Sequence, residues 1–283
     1  MIILVANIKG GMARTTISVM LARAFSQAGK KAILADTTVG GDSARYVENM
    51  KEFHRIAIPF EVRKFPDAAY SHRQDFSKGS AKLRTSIQSL EESVGSKGVV
   101  IVDTASHHED ILRSLDHIAD SAVIPYDYSW AALDPTLHTI DALTTATIVL
   151  PHGRSPTVDD GDIERLNQVA KKADHVSSVA LKYDEKYTRC GIPDSTSEYD
   201  QLVSILSELN DFTATEEDAE ADGIKEADPA TADVVVQLNT RTSLRYRRLL
   251  TQLSRDTGKQ SGHSSKKPSK TRTSNNKKVK LYP

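Results

Sequence analysis

The residues of this 283-residue chain best suited to chemistry lie near its start, where Lys9-Gly10-Gly11-Met12-Ala13-Arg14-Thr15-Thr16 separates an apolar run from a stretch of helical period. Paired glycines let a backbone turn tightly enough to aim successive N–H groups at one anion. A helix beginning directly behind them adds its positive end. A hydroxyl beside the basic residue, here Thr15, can ligate Mg²⁺. Asp36 and Asp103 each end an apolar segment that reads as a strand, and open α/β sheets bind ligands at such strand ends. The chemistry expected is phosphate binding.

The elements that must position these residues alternate along the chain. Apolar runs at Ile2–Ala6, Ala32–Ala35, Phe60–Val62, Val99–Val102, Ala122–Ile124, Val176–Leu181 and Val234–Leu238 read as strands. Most are Val/Ile-rich and uninterrupted, as strands buried on both faces should be. Helical period predicts helices over Thr15–Ala28, Asp42–His54, Ser80–Val94, Glu109–Ile118, Ala132–Leu150, Asp162–Lys172, Ser197–Leu209 and Ser243–Ser254. Strands alternating with helices predict an α/β fold, three layers of α/β/α around a mostly parallel central sheet. The domain is expected to span residues 1–255, with an acidic loop at about 211–233 and a disordered basic tail at 256–283.

The first block resembles the deviant Walker A box of the ParA family of partition ATPases, K-G-G-x-x-K-[ST]. Asp36-Thr37-Thr38-Val39-Gly40 stands where the family has D-x-D-P-Q, and Val99-Val100-Ile101-Val102-Asp103-Thr104-Ala105 resembles its apolar strand ending in D-T-P. Asp120-Ser121-Ala122-Val123-Ile124-Pro125 is similar to the following family strand. The run Val236-Gln237-Leu238-Asn239-Thr240-Arg241-Thr242 looks like short, VirC-type members associated with conjugative DNA transfer. The resemblance implies a SIMIBI-like P-loop NTPase with ATP and Mg²⁺ as ligands. It places nucleotide on Lys9, Gly10, Gly11, Met12, Ala13, Arg14, Thr15 and Thr16, metal on Thr15 and, through water, Asp103, and catalysis on Lys9, Arg14 and Asp36. Lys9 matches the lysine that in this family reaches the partner's phosphates in a nucleotide-dependent homodimer.

Three positions depart from the family pattern. The P-loop lysine is Arg14, whose planar fork differs from an ammonium point charge. The water-orienting acid is Thr38, and the proline of D-T-P is Ala105. The expectation is therefore a weak ATPase, or alternatively a nucleotide-gated DNA or cargo scaffold with little or no hydrolysis. A metabolic P-loop ligase is a third reading. Asp42 serves either as a helix N-cap or as a replacement acid.

Charge separates the parts of the chain. Its 37 Lys+Arg against 38 Asp+Glu conceal a local charge of −8 over residues 211–233 and +8 over residues 255–283. Arg241, Arg245 and Arg248 share one predicted helix face, with Arg247 beside them and Lys266, Lys267 and Lys270 in the tail. Clustered cations of this kind bind DNA phosphates without reading sequence. The cations thus imply nonspecific DNA as a partner, and the family resemblance implies a ParB-like, relaxosome or cargo protein, in the cytoplasm on the nucleoid. No apolar run approaches the roughly 20 residues of a membrane span, and the tail is a poor amphipathic anchor. MIILVAN lacks the marks of a secretory signal and reads as a strand, so nothing is expected to be trimmed. The absence of a helix-turn-helix before it is the short-form pattern. Cys190 reads as a structural thiol, and His107-His108-Glu109-Asp110 as a loop and helix start rather than a metal site.

Overall fold

Segments such as Ile-Ile-Leu-Val and Val-Val-Ile-Val-Asp carry apolar side chains toward both faces of a strand, so they are stable only where helices cover a sheet on both sides. The computed structural model describes residues 1–65, 76–106, 108–153, 159–193 and 195–208, all within one compact unit, Met1–Lys225. The strands are β1 (Ile2–Val5), β2 (Ala32–Asp36), β3 (Glu61–Lys64), β4 (Val99–Asp103), β5 (Ser121–Tyr126), β6 (Ala146–Gly153), β7 (His175–Val176) and β8 (Leu181–Lys182). They lie in the order β3-β2-β4-β1-β5-β6-β7, with β8 also on β6, and every pairing is parallel. The helices are α1 (Arg14–Gln27), α2 (Asp42–His54), α3 (Phe76–Val94), α4 (Glu109–Asp116), α5 (Trp130–Asp141), α6 (Asp160–Ala170), α7 (Glu185–Thr188) and α8 (197–208).

The two faces of the sheet build two cores. Ile3, Val5, Leu34, Ile101, Val123 and Ile148 pack with α1, α2 and α8 through Phe25, Met50 and Leu202. Ile2, Leu4, Val100, Val102, Ile124 and Val149 pack on the other side with α3, α4, α5 and α6 through Ile87, Leu112, Leu133 and Val169. This is the expected three-layer α/β/α fold. Adjacent residues of β1, β2 and β4 point to opposite cores, so a one-residue slip in register would exchange them.

Two expectations are corrected. The helix expected over Ala132–Leu150 stops at Asp141, and Ala146–Gly153 is the sixth strand. Asp116 ends it from 28 residues upstream: its carboxylate accepts from Thr144 N at 2.9 and 2.8 Å, from Thr144 Oγ1 at 2.5 Å and from Thr145 N at 2.8 Å. Those donors are thus held away from a further helical turn, and the β-branched run behind them pairs with β5. The strand expected over Val176–Leu181 is two pieces, β7 and β8, on different stretches of β6. Between them Ser177 Oγ accepts from Val179 N at 3.1 Å, a local turn that interrupts the ladder. The strand at Val234–Leu238, the helix at Ser243–Ser254, the acidic loop and the tail lie outside the described residues, as does His107.

Removing the buried Asp116 acceptor leaves the donors of Thr144 and Thr145 unsatisfied. Asp116→Ala is expected to destabilise the fold by about 3 kcal/mol in urea unfolding, whereas a loss of under ~1 kcal/mol would show that the turn is held by other contacts.

Candidate functional site

Strand register brings the sequence candidates together. Val5 on β1 and Asp36 on β2 both pair with Asp103 on β4, so three parallel strands end side by side at the same end of the sheet. From the end of β1 the chain turns through Lys9–Ala13 into α1. Gly11 has φ +76° and Ala13, the N-cap residue, has φ +57°. The second value is unusual for a residue with a Cβ. Left-handed residues alternating with others in this way turn backbone N–H groups to one side, making an anion-binding concavity. α1 has no side-chain cap and no acid in its own first turn. Met12 is buried in the second core and pins the middle of the loop to the sheet.

Asn7 and Arg14 set the shape of this loop. Asn7 is buried; its Nδ2 donates to Pro125 O and to Thr136 Oγ1, both at 3.0 Å, and its Oδ1 accepts from Lys9 N at 2.9 Å. Ile8 N donates to Thr139 Oγ1 at 3.0 Å. The Arg14 guanidinium folds across the turn and donates to Asn7 O at 2.8 Å. Burial lowers its pKa from the usual arginine range, with the charges of Asp103 and Asp42 acting the other way.

Asp103 is fully buried behind the loop. Its Oδ2 accepts from Thr15 Oγ1 at 2.9 Å and from Ser43 Oγ, while its buried Oδ1 has no hydrogen-bond partner. Burial pushes its carboxyl up to about 6; the bonds from Ser43 and Thr15 pull down, Asp36 pushes up, and Arg14 pulls down. A buried carboxylate with one lone oxygen beside a threonine hydroxyl is an oxygen-donor set suited to a hard divalent cation.

Asp36 faces α2. Its Oδ1 accepts from Thr38 N at 2.9 Å and Thr38 Oγ1 at 2.6 Å, and its Oδ2 from Ala44 N at 2.9 Å. Thr38 Oγ1 in turn accepts from Asp42 N at 2.7 Å. Asp36 and Thr38 thus satisfy the N–H groups of Ala44 and Asp42 at the start of α2 and hold that helix to the sheet. Of the two roles open to Asp42, the N-cap position belongs to Gly41, whose φ of +63° suits glycine; Asp42 is the first helical residue and pairs with Arg45 at 2.6 Å. Lys9 extends to the other side, with Nζ 3.8 Å from Asp127 Oδ2.

The loop Gly10–Thr16, Asp36 and Asp103 therefore lie together, while the Lys9 side chain turns toward Asp127. Arg241, Arg245, Arg247, Arg248, Lys266, Lys267 and Lys270 lie outside the described residues. Sequence reasoning missed Asn7, Ser43 and Asp127. Asn7, a polar residue closing an apolar strand ahead of the glycines, was the one discernible signal. Glu109 in the His-His-Glu-Asp run pairs with Arg113 at 2.6 Å and His138 at 2.8 Å. Cys190 accepts from Asn49 Nδ2 at 3.6 Å, and no cluster of metal-ligating side chains occurs among the described residues. No described helix is long and apolar enough to cross a membrane.

Comparison with known proteins gives the same arrangement a family. No curated protein matches the sequence. Apo McdA from Cyanothece superposes with a TM-score of 0.58 at 17% identity, covering 72% of this chain and 98% of that one. A plasmid partition protein of Borrelia burgdorferi B31, bound to AMPPNP, superposes with a TM-score of 0.55 at 14% identity, covering 73% and 98%. The MinD cell division protein of Aquifex aeolicus gives 0.50 at 14% identity, covering 73% and 97%. At these identities the likeness is one of fold. Residues 1–183, which include the glycine loop, Asp36, Asp103 and the strands that align them, match the family described as ATPase MipZ, and the chain belongs to that family of ParA-like ATPases.

Proposed function

We propose that the chain is a nucleotide-dependent switch that binds ATP with Mg²⁺ at Lys9–Thr16, dimerises in that state and holds nonspecific DNA through its C-terminal cations. The observation that supports this most is the left-handed pair Gly11 and Ala13 ahead of an uncapped helix, next to Thr15 hydrogen-bonded to a buried Asp103. The N–H groups of Gly10–Thr16 bind phosphate oxygens, and Arg14 and Lys9 add positive charge. Thr15 and Asp103 are the residues that would hold Mg²⁺, whose charge would neutralise that of the phosphates. AMPPNP on the Borrelia protein and ATP on a variant of Cyanothece McdA agree with this reading.

Hydrolysis on this proposal is slow. Thr38 stands where the family has a carboxylate, and its hydroxyl is engaged between Asp36 and the backbone of Asp42. Asp36 acts by holding α2 rather than by touching water. These contacts favour the second reading, a nucleotide-gated scaffold for DNA or cargo with little turnover. In either case the protein serves DNA partition or conjugative transfer with a ParB-like, relaxosome or cargo partner, in the cytoplasm on the nucleoid.

Equilibrium binding of ATPγS with Mg²⁺ tests the site. Thr15→Ala is expected to weaken binding at least about tenfold, equivalent to ~1.4 kcal/mol, and equal affinity would overturn the assignment. DNA affinity measured against salt tests the C-terminal cations: Arg245→Ala and Arg248→Ala should each flatten the slope of log affinity on log salt by about 1, and an unchanged slope removes them from the interface.

The raised Asp103 carboxyl has a stability consequence. Above its folded value the ionised form is buried and destabilises the protein; the penalty disappears as pH falls below the ordinary carboxyl range. In metal-free buffer Asp103→Asn should therefore stabilise the protein on the order of 3 kcal/mol at pH 8, with the gain vanishing near pH 4. A gain that does not depend on pH would contradict the buried charge.

A further inference from the structure

The turn before the glycines is held on one side by β5, α5 and the connection between them. Asn7 is tied to Pro125 and Thr136, Ile8 to Thr139, and the Lys9 ammonium to Asp127. The backbone of Lys9 is fixed by Asn7, so its side chain swings from a rigid base.

Asp127 is itself held for this contact. Its Oδ1 accepts from Ser129 N at 3.0 Å and Ser129 Oγ at 2.7 Å, which leaves Oδ2 facing Lys9. The Ser129 bonds and Lys9 outweigh burial and hold its carboxyl below the usual range. Between them Tyr128 sits at φ +62°, a conformation that strains a residue with a large side chain and persists where its surroundings impose it. Arg165 imposes it here: Nε donates to Tyr128 O at 2.6 Å, and the guanidinium lies over the exposed Trp130 ring, 4.9 Å from its centroid. A strained, clamped turn thus presents one carboxylate oxygen to one lysine.

We propose that Asp127 is a positioning residue that parks Lys9 within its own subunit until nucleotide draws it away. The inference rests on the nucleotide reading above and adds a resting state to it. Lys9 cannot pair with Asp127 and lend its charge to the phosphates at the same time, so the intramolecular pair opposes the loaded state. Releasing it removes a charge from the Asp127–Trp130 turn, and Trp130, the single tryptophan of the chain, reports the change.

The test uses the full chain, ATPγS with Mg²⁺, and two readouts, nucleotide affinity and Trp130 fluorescence. Asp127→Asn keeps an oxygen for Ser129 and removes the charge facing Lys9. It is expected to bind ATPγS about two- to fivefold more tightly at low salt, the range of a partly exposed ion pair. The advantage should shrink at about 1 M salt, where screening acts within ~3 Å. The free variant should already show the emission that wild type reaches only with nucleotide. In a Lys9→Ala background the same substitution should change nothing, whereas a merely structural role for Asp127 would persist there. Equal or weaker binding by Asp127→Asn, or an effect that survives Lys9→Ala, overturns the parked lysine while leaving the nucleotide site intact. Failure of wild type to bind ATPγS overturns both.

Discussion

Burying a carboxylate is destabilising unless its oxygens are paired, and Asp103 has only one oxygen paired. Much of the surrounding structure serves to hold that group. Strand β4 carries it to the C-terminal end of the sheet, β1 and β2 flank it in register, and Thr15 and Ser43 reach it from the first turns of α1 and α2. The backbone oxygen of Asp103 also accepts from Thr37 N and Oγ1, at 3.1 and 2.8 Å, which ties the start of the β2–α2 connection to the same residue. One acid therefore anchors the phosphate-type loop, the neighbouring helix and the connection between them.

The loop is braced from both sides of the sheet. Met12 belongs to one core, and α1 behind it supplies Ile17, Met20, Leu21 and Phe25 to the other. Arg14 closes the turn onto Asn7, whose side chain is fixed by β5 and α5. A site preorganised in this way loses little freedom on binding an anion. The arginine also makes a resting contact that a shorter ammonium side chain would meet with different geometry.

The strands that build the site were legible because β1, β2 and β4 are buried on both faces and read as uninterrupted apolar runs. The loop was legible because glycine spacing and a following helix are local features. β6 was not, since its Thr-Ile-Val-Leu run continues the apolar period of α5, and the break is imposed by Asp116 from an earlier helix. Ser43 and Asp127 escaped for the same reason: a serine in a first turn and an aspartate after a strand acquire their roles from contacts 60 and 118 residues away in sequence. The family pattern located Asp36 among the catalytic positions, whereas its hold on the start of α2 is visible only in the geometry.

The central claim is that the backbone of the first loop is the phosphate site. Amide hydrogen exchange on the full chain, with and without ATPγS and Mg²⁺, measures those N–H groups directly. Slowed exchange over Gly10–Thr16 is the result expected if phosphate oxygens accept from them. Exchange there that stays unchanged while nucleotide is bound would contradict it.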